Sequence, residues 1–241
     1  HRANTTSGFS IIKYTGLNDE ISDTEHTLVT HGLGSAPVLM IGRSLDTAQD
    51  WFVMPGVPEE MGSGRWGLDN HMHLNTVDAA DGSKYVQPAY PTSTHIKIGN
   101  DDLVNKANDE FIMYAFIRVA GLMGYGTYNG NSSTNGPMII VDDGGSGFKP
   151  AWIMIKRITA NESWFIFDSK RDINNPAEHY IMADATNPEN DGTGGNDVDF
   201  LANGFKLRST NAGTNSSGTY LYLAFAENPF GGDGVTQAKA R

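Results

Sequence analysis

Two stretches of the chain carry apolar residues at consecutive positions: Phe111 to Ile117 and Tyr220 to Ala226, seven residues each. A strand with one wet face alternates apolar and polar residues, and these do not. They are therefore predicted as mid-sheet strands covered on both sides. A helix is the other reading of such a run, but the aromatics, short length and flanking turns favour a strand. A shorter strand is predicted at Phe9–Thr15, with a counterpart at about Tyr125 to Asn129. A Gly-x-x-Pro turn then leads into Val38–Ile41, and another into Ala151–Ile155. Proline presets its own dihedral and has no donor, which suits the first residue of a strand. Each of these strands is followed by a polar loop (44–50 and 157–163) and a strand led by tryptophan, which reads as a hairpin.

The two halves share this grammar. Phe111–Phe116 matches Tyr220–Phe225 at an offset of 109, as does Ile96–Ile98 with Phe205–Leu207. At an offset of 113, Gly34–Pro37 matches Gly147–Pro150, and Trp51-Phe52-Val53 matches Trp164-Phe165-Ile166. At 114, Tyr14–Gly16 matches Tyr128–Gly130. The drift marks small length changes in loops. The order of these matches implies a tandem duplication, with units at 1–120 and 121–230 and a tail at 231–241. The other reading is strand composition shared within one large sandwich.

Composition sharpens the fold class. Twenty-eight glycines and the absence of long helix-forming tracts favour short strands joined by polar turns. The expectation is an all-β protein of two tandem β-sandwich domains, jelly-roll or lectin-like, of about 110 residues each. Whether the topology is jelly-roll or immunoglobulin-like is open at this level. Trp51 and Trp164, with Phe116 and Phe225, are the expected core anchors. A sugar-stacking platform is the other reading of each tryptophan.

Charge and cysteine count narrow the chemistry. The formal net charge is −11, which repels a polyanion and argues against nucleic acid as a partner. No apolar run approaches the ~18 residues of a membrane-spanning helix, so no membrane insertion is expected. With no cysteine, disulfides, thiolate metal sites and cysteine nucleophiles are excluded. The chain opens at His1 rather than Met and shows no signal-peptide pattern, which leaves open whether residues precede it.

Searching for catalytic patterns yields little. Gly144–Phe148 misses the serine-hydrolase elbow at its last position, and Gly124–Gly130 lacks the spacing of a dinucleotide loop. His71-Met72-His73 places two imidazoles on one strand face, a pattern that can clasp a metal, while the second half has His179-Tyr180-Ile181 instead. Acidic loops at Asn100–Asp102, Asp142-Asp143 and Glu189–Asp191 match no EF-hand. Adjacent Glu59 and Glu60 would point apart on a strand, unlike the paired carboxylates of a glycosidase. The sequons at Asn4, Asn131, Asn161 and Asn215 are read as accidental in an Asn/Ser/Thr-rich chain. No catalytic residue, cofactor or metal ligand is assigned, and the chain is expected not to be an enzyme.

Several motifs carry a family resemblance. NTTSGFSIIKYTG (4–16), HGLGSAP (31–37) and DWFV (50–53) open one copy. GSGFKPAWIMIKR (145–157), WFIFDSKRD (164–172), DFLANGFKLRSTNA (199–212) and YLYLAFAENPFGG (220–232) form a second, fuller copy. Together they resemble a repeat module of virion proteins of tailed, especially marine, bacteriophages. Such modules sit in tail-fibre, tail-tip or surface-appendage proteins, and the family brings no catalytic residues. The resemblance implies a virion structural protein on the outer surface or tail, with host adhesion as a candidate role. The alternatives are a glycan-binding module, free or enzyme-attached, and a capsid decoration protein. The partners it implies are other virion proteins, further copies of the chain (a trimer is one candidate) and a cell-surface glycan.

The expected contact region lies in the long Gly-rich loops 56–70 and 186–198, with Arg65, Trp66, Asp69, Glu189, Asn190 and Asp191 as candidate partner or receptor contacts. The other reading is that these loops only pack against neighbouring virion proteins. Residues 56–70 depart from the module's pattern. The Gly-rich tail after Phe230 buries nothing of its own, and a neighbouring subunit is expected to hold it.

Overall fold

The computed structural model describes residues 1–17, 26–57, 70–82 and 86–229. These form strands, numbered here in chain order, and one four-residue helix, Asp102–Asn105, capped by the Asp101 side chain. The fold is all-β. The chain divides into two compact units, one comprising His1–Asn75 and Ala80–Ile117, the other Thr76–Ala79 and Arg118 onward.

Unit 1 has a large antiparallel sheet. Its order is β1 (Arg2–Asn4), β2 (Phe9–Thr15), β9 (Glu110–Phe116), β4 (Leu39–Ser44), β5 (Phe52–Pro55), β6 (Asn70–His73) and β7 (Asp81–Gly82). A second sheet pairs β3 (Thr27–Thr30) with β8 (His95–Ile98). Unit 2 has a large sheet ordered β10 (Met123–Gly130), β18 (Gly218–Ala226), β12 (Pro150–Arg157), β13 (Trp164–Asp168), β14 (His179–Met182) and β15 (Asn190–Asp191). Its small sheet is β11 (Met138–Ile140), β17 (Gly204–Leu207) and β16 (Val198–Leu201).

From β2 to β7 the order of unit 1 corresponds to that of unit 2 from β10 to β15, and β3 and β8 correspond to β11 and β17, while β1 and β16 have no counterpart; the hydrogen-bond register corresponds as well. Met40 opposes Ala115 in unit 1 as Ile153 opposes Ala224 in unit 2. Tyr14 opposes Phe111 as Tyr128 opposes Tyr220. Gly42 opposes Phe52 as Ile155 opposes Phe165. These are the sequence offsets of 114, 113 and 109 expressed as geometry. One pairing is corrected: His71 opposes Asp81 as Tyr180 opposes Asn190, so His71 corresponds to Tyr180 and not to His179.

Each core lies between a large and a small sheet. In unit 2 it joins Ile153, Ile155, Phe165 and Tyr222 to Ile139, Val198, Phe205 and Leu207. In unit 1 it joins Met40, Phe52, Phe111 and Met113 to Val29, Ile96 and Ile98. Both closing strands are central in their sheets, as their apolar runs require. Thr219 through Ala224 are buried on both faces. In β9, burial alternates, with Ile112, Tyr114 and Phe116 only half-buried.

The expected core anchors need correction. Phe116 and Phe225 are half-buried on the outer faces of their sheets, where Phe116 meets Phe9 at 5.0 Å and Phe225 meets Trp152 at 5.6 Å. Trp51 is also half-buried and stacks on Tyr114. The reason is the two-residue period of a strand: Phe52 and Phe165 point into the cores, so the tryptophans preceding them point away. Trp164 is buried, at 1% exposure, but stands outside the inter-sheet cluster.

The two tryptophans keep the same backbone partners. Trp51 N donates to Asn75 Oδ1 and its carbonyl accepts from Leu74 N. Trp164 N donates to Asp184 Oδ1 and its carbonyl accepts from Ala183 N. A cation lies over each ring, Arg43 at 5.5 Å from Trp51 and Lys156 at 5.9 Å from Trp164. Lys156 is fully buried. Its ammonium donates to Val77 O at 2.8 Å and to Glu162 O, and burial lowers its pKa to about 8.

Candidate functional site

Three strand ends of unit 2 meet at one edge of its large sheet: the start of β12, the end of β13 and the end of β18. At that edge lies a cleft of about 250 Å³, lined by Lys149, Ser169, Lys170, Asp172, Ile173, Asn175, Phe200 and Glu227. The volume is just below the usual range of small-molecule sites, about 300–1,000 Å³.

The loop after β13 shapes the cleft and is pinned by its own side chains. Asp172 Oδ2 accepts from Glu178 N at 2.8 Å and from His179 Nδ1 at 3.0 Å. Burial pushes the Asp172 carboxyl up, but these bonds outweigh it, and its pKa is lowered. Asp168 Oδ1 accepts from Lys170 N and Arg171 N, turning the chain out of the strand. Asn175 clasps Phe200 on both sides, its Nδ2 donating to Phe200 O and its Oδ1 accepting from Phe200 N, each at 2.9 Å.

Across the cleft, Glu227 is bracketed by two ammonium groups, Lys149 at 2.9 Å and Lys170 at 3.7 Å. The hydrogen bond from Lys149 is the main reason its pKa is lowered. Two further features stand out. Ser169 Oγ is shielded from solvent and has no hydrogen-bond partner among the described residues. Ile173 is 81% exposed at the rim.

The candidate contacts read from sequence separate into two groups. Arg65, Trp66 and Asp69 lie outside the described residues, as do Glu59, Glu60 and the tail from Phe230. Glu189 sits beside the cleft loop, its Oε1 3.0 Å from Arg171 Nε. Asn190 and Asp191 are spent on their own turn. Asn190 Oδ1 accepts from Gly192 N and Gly194 N, and Asp191 Oδ1 accepts from the Thr193 hydroxyl.

The other acidic loops hold turns in the same way. Asp143 accepts from Gly121 N, Gly145 N and Gly147 N, while Asp142 pairs with Arg118 at 2.7 Å. His71 and His73 face each other edge to face at 5.2 Å, and burial lowers the His71 pKa. Among the described residues no three His, Asp or Glu side chains come together as a metal site. Asn215 is fully buried, its amide donating to Ser209 O, Ser133 O and Asn131 Oδ1, so its sequon is closed to modification in the folded chain.

Residues 2–229 match the family model described as a domain of unknown function, DUF7483. The chain belongs to that family. The match spans both units, so the family's sequence pattern is the doubled fold rather than one sandwich. No curated protein and no solved structure matches the chain.

Sequence reasoning missed the cleft. Its signal was present in the charged residues set at or directly after the ends of apolar strands, Asp168 to Asp172 at the end of β13 and Glu227 after β18. Nothing in the linear order shows that those two strand ends share an edge with Lys149.

Proposed function

We propose that this chain is a structural protein of a tailed-bacteriophage particle, a tail fibre, spike or surface appendage with a role in host adhesion. The observation that carries the reading is the motif set of the second half. Each motif that resembles the virion module builds a defined part of the sandwich. GSGFKPAWIMIKR makes the turn into β12, and WFIFDSKRD makes β13 and the start of the cleft loop. DFLANGFKLRSTNA makes most of β16 and all of β17, and YLYLAFAENPFGG makes most of β18. Two rigid β units in one chain suit a spacer, and the −11 charge suits a surface that does not hold nucleic acid.

The role is structural and adhesive rather than catalytic, with other virion proteins and further copies of the chain as partners. Mass spectrometry and antibody labelling of purified particles test this. Labelling on the tail, in copy numbers divisible by three, is the expected result for a fibre or spike. Labelling over the shell would make it a decoration protein, and absence from washed particles would end the virion reading. A second reading, a glycan-binding module, is favoured by the polar cleft.

A further inference from the structure

We propose that the cleft at the Pro150, Asp168 and Ala226 strand ends of unit 2 holds one uncharged sugar residue. The proposal deepens the adhesive part of the reading above, and its test is independent of where the protein sits.

The argument begins with a hydroxyl. A shielded polar atom without a partner needs a reason, since such atoms are almost always satisfied. Ser169 is one of the residues lining the cleft, and its Oγ is such an atom, able both to donate and to accept. A ligand hydroxyl would supply the missing partner. Glu227 offers an acceptor, and Lys149 and Lys170 offer donors, so neighbouring sugar hydroxyls find both kinds of group within one rim. Ile173, exposed at the rim, gives the C–H face of a sugar ring an apolar contact.

Charge selects among sugars. The lining carries two ammonium groups and two carboxylates, which cancel. A carboxylated or sulfated sugar would have to displace Glu227 from its lysines and approach a chain of net charge −11. The fold itself does not demand this lining. In unit 1 the positions equivalent to Lys149, Ser169 and Lys170 hold Ala36, Gly56 and Val57. Gly56 N donates to Val38 O as Ser169 N donates to Ala151 O, both at 2.8 Å, so the hydrogen-bond register is kept, while the backbone closes more tightly around Gly56, where a Cβ would lie 1.8 Å from Pro37 O.

The cleft would hold a sugar without cleaving it. Glycoside hydrolysis needs a carboxylic acid kept protonated by a raised pKa. Asp172 and Glu227 are both lowered, the one fastened to its loop and the other to its lysines.

The test is an amide NMR titration of the full chain with glucose, galactose, mannose and N-acetylglucosamine, against galacturonic and N-acetylneuraminic acid. At least one neutral sugar should bind with a Kd of about 1 mM or tighter. The shifts should be confined to residues 149, 169–175, 200 and 227. Ser169→Ala and Ile173→Ser should each weaken binding by about five-fold, the loss of one contact of roughly 1 kcal/mol. Ile173 is exposed, so its variant folds and keeps the test decisive if Ser169→Ala does not. Shifts absent with every neutral sugar, shifts elsewhere, tighter binding of the acidic sugars, or unchanged affinity in Ile173→Ser would each overturn the proposal. None of these outcomes bears on particle labelling, so the two readings fail separately.

Discussion

The two units share a strand order and a register, yet they treat equivalent residues differently. In unit 1, Arg43 lies over a half-buried Trp51. In unit 2, Lys156 lies over a buried Trp164 and donates hydrogen bonds to two backbone carbonyls. At the neighbouring strand ends, unit 1 has Ala36, Gly56 and Val57 where unit 2 has Lys149, Ser169 and Lys170. Ladder hydrogen bonds fix where each Cβ points and leave the chemistry beyond it free. A repeated fold can therefore carry one set of side chains for packing and another for binding.

Four effects of substitution break or sharpen this comparison. The largest effect falls on the tryptophans. Trp164→Ala should cost about 3–5 kcal/mol, the usual range for a buried large aromatic, and half-buried Trp51→Ala about half of that. Denaturant titration of each variant checks the order, and equal losses would mean that the two environments do not differ in energy.

Gly56 comes next. A Cβ there would lie 1.8 Å from Pro37 O, so Gly56→Ala should cost about 3 kcal/mol through backbone displacement. Ser169→Gly in unit 2 should cost under about 1 kcal/mol, because that side chain makes no described hydrogen bond. Unit 1 thus cannot acquire the cleft by simple replacement.

The third effect is a pH dependence. Lys156 has a folded pKa of about 8 against 10.5 unfolded, so the unfolded chain binds more protons between those values. Stability from this group is lowest near neutrality and rises with pH through that window. Relative to Lys156→Met, the wild type should gain about 2 kcal/mol between pH 7 and 9.5, read from unfolding at each pH.

The smallest effect concerns the cleft loop. Asp172→Asn should cost about 1 kcal/mol, from weakened bonds to Glu178 N and His179. Because the folded pKa of Asp172 is lowered, its contribution is present above the ordinary carboxylate range and lost as pH falls through the folded value. The variant should therefore lose less stability than wild type in acid, and faster amide exchange over 169–178 would report the loosened loop.

Much of the architecture was legible in the chain. The Phe9–Thr15 strand, the Trp-led hairpins and the central closing strands all follow from local apolar pattern and turn residues. The constant offsets carried more, because strands in register must keep the same residue count between matching hydrogen bonds. Burial was read less well. Trp164 is buried, as its type predicts, but Trp51, Phe116 and Phe225 are only half-buried, because the pleat sends their neighbours into the cores.

What the sequence by itself determined is the repeated unit: its strands, their matching and the turns that separate them, all of which depend on residues close in the chain. What only the tertiary structure decided is which outer-face tryptophan becomes buried and that Lys149, Ser169, Phe200 and Glu227 border one cleft. Those facts depend on strands and loops tens of residues apart meeting at a sheet edge, and no local preference encodes such a meeting.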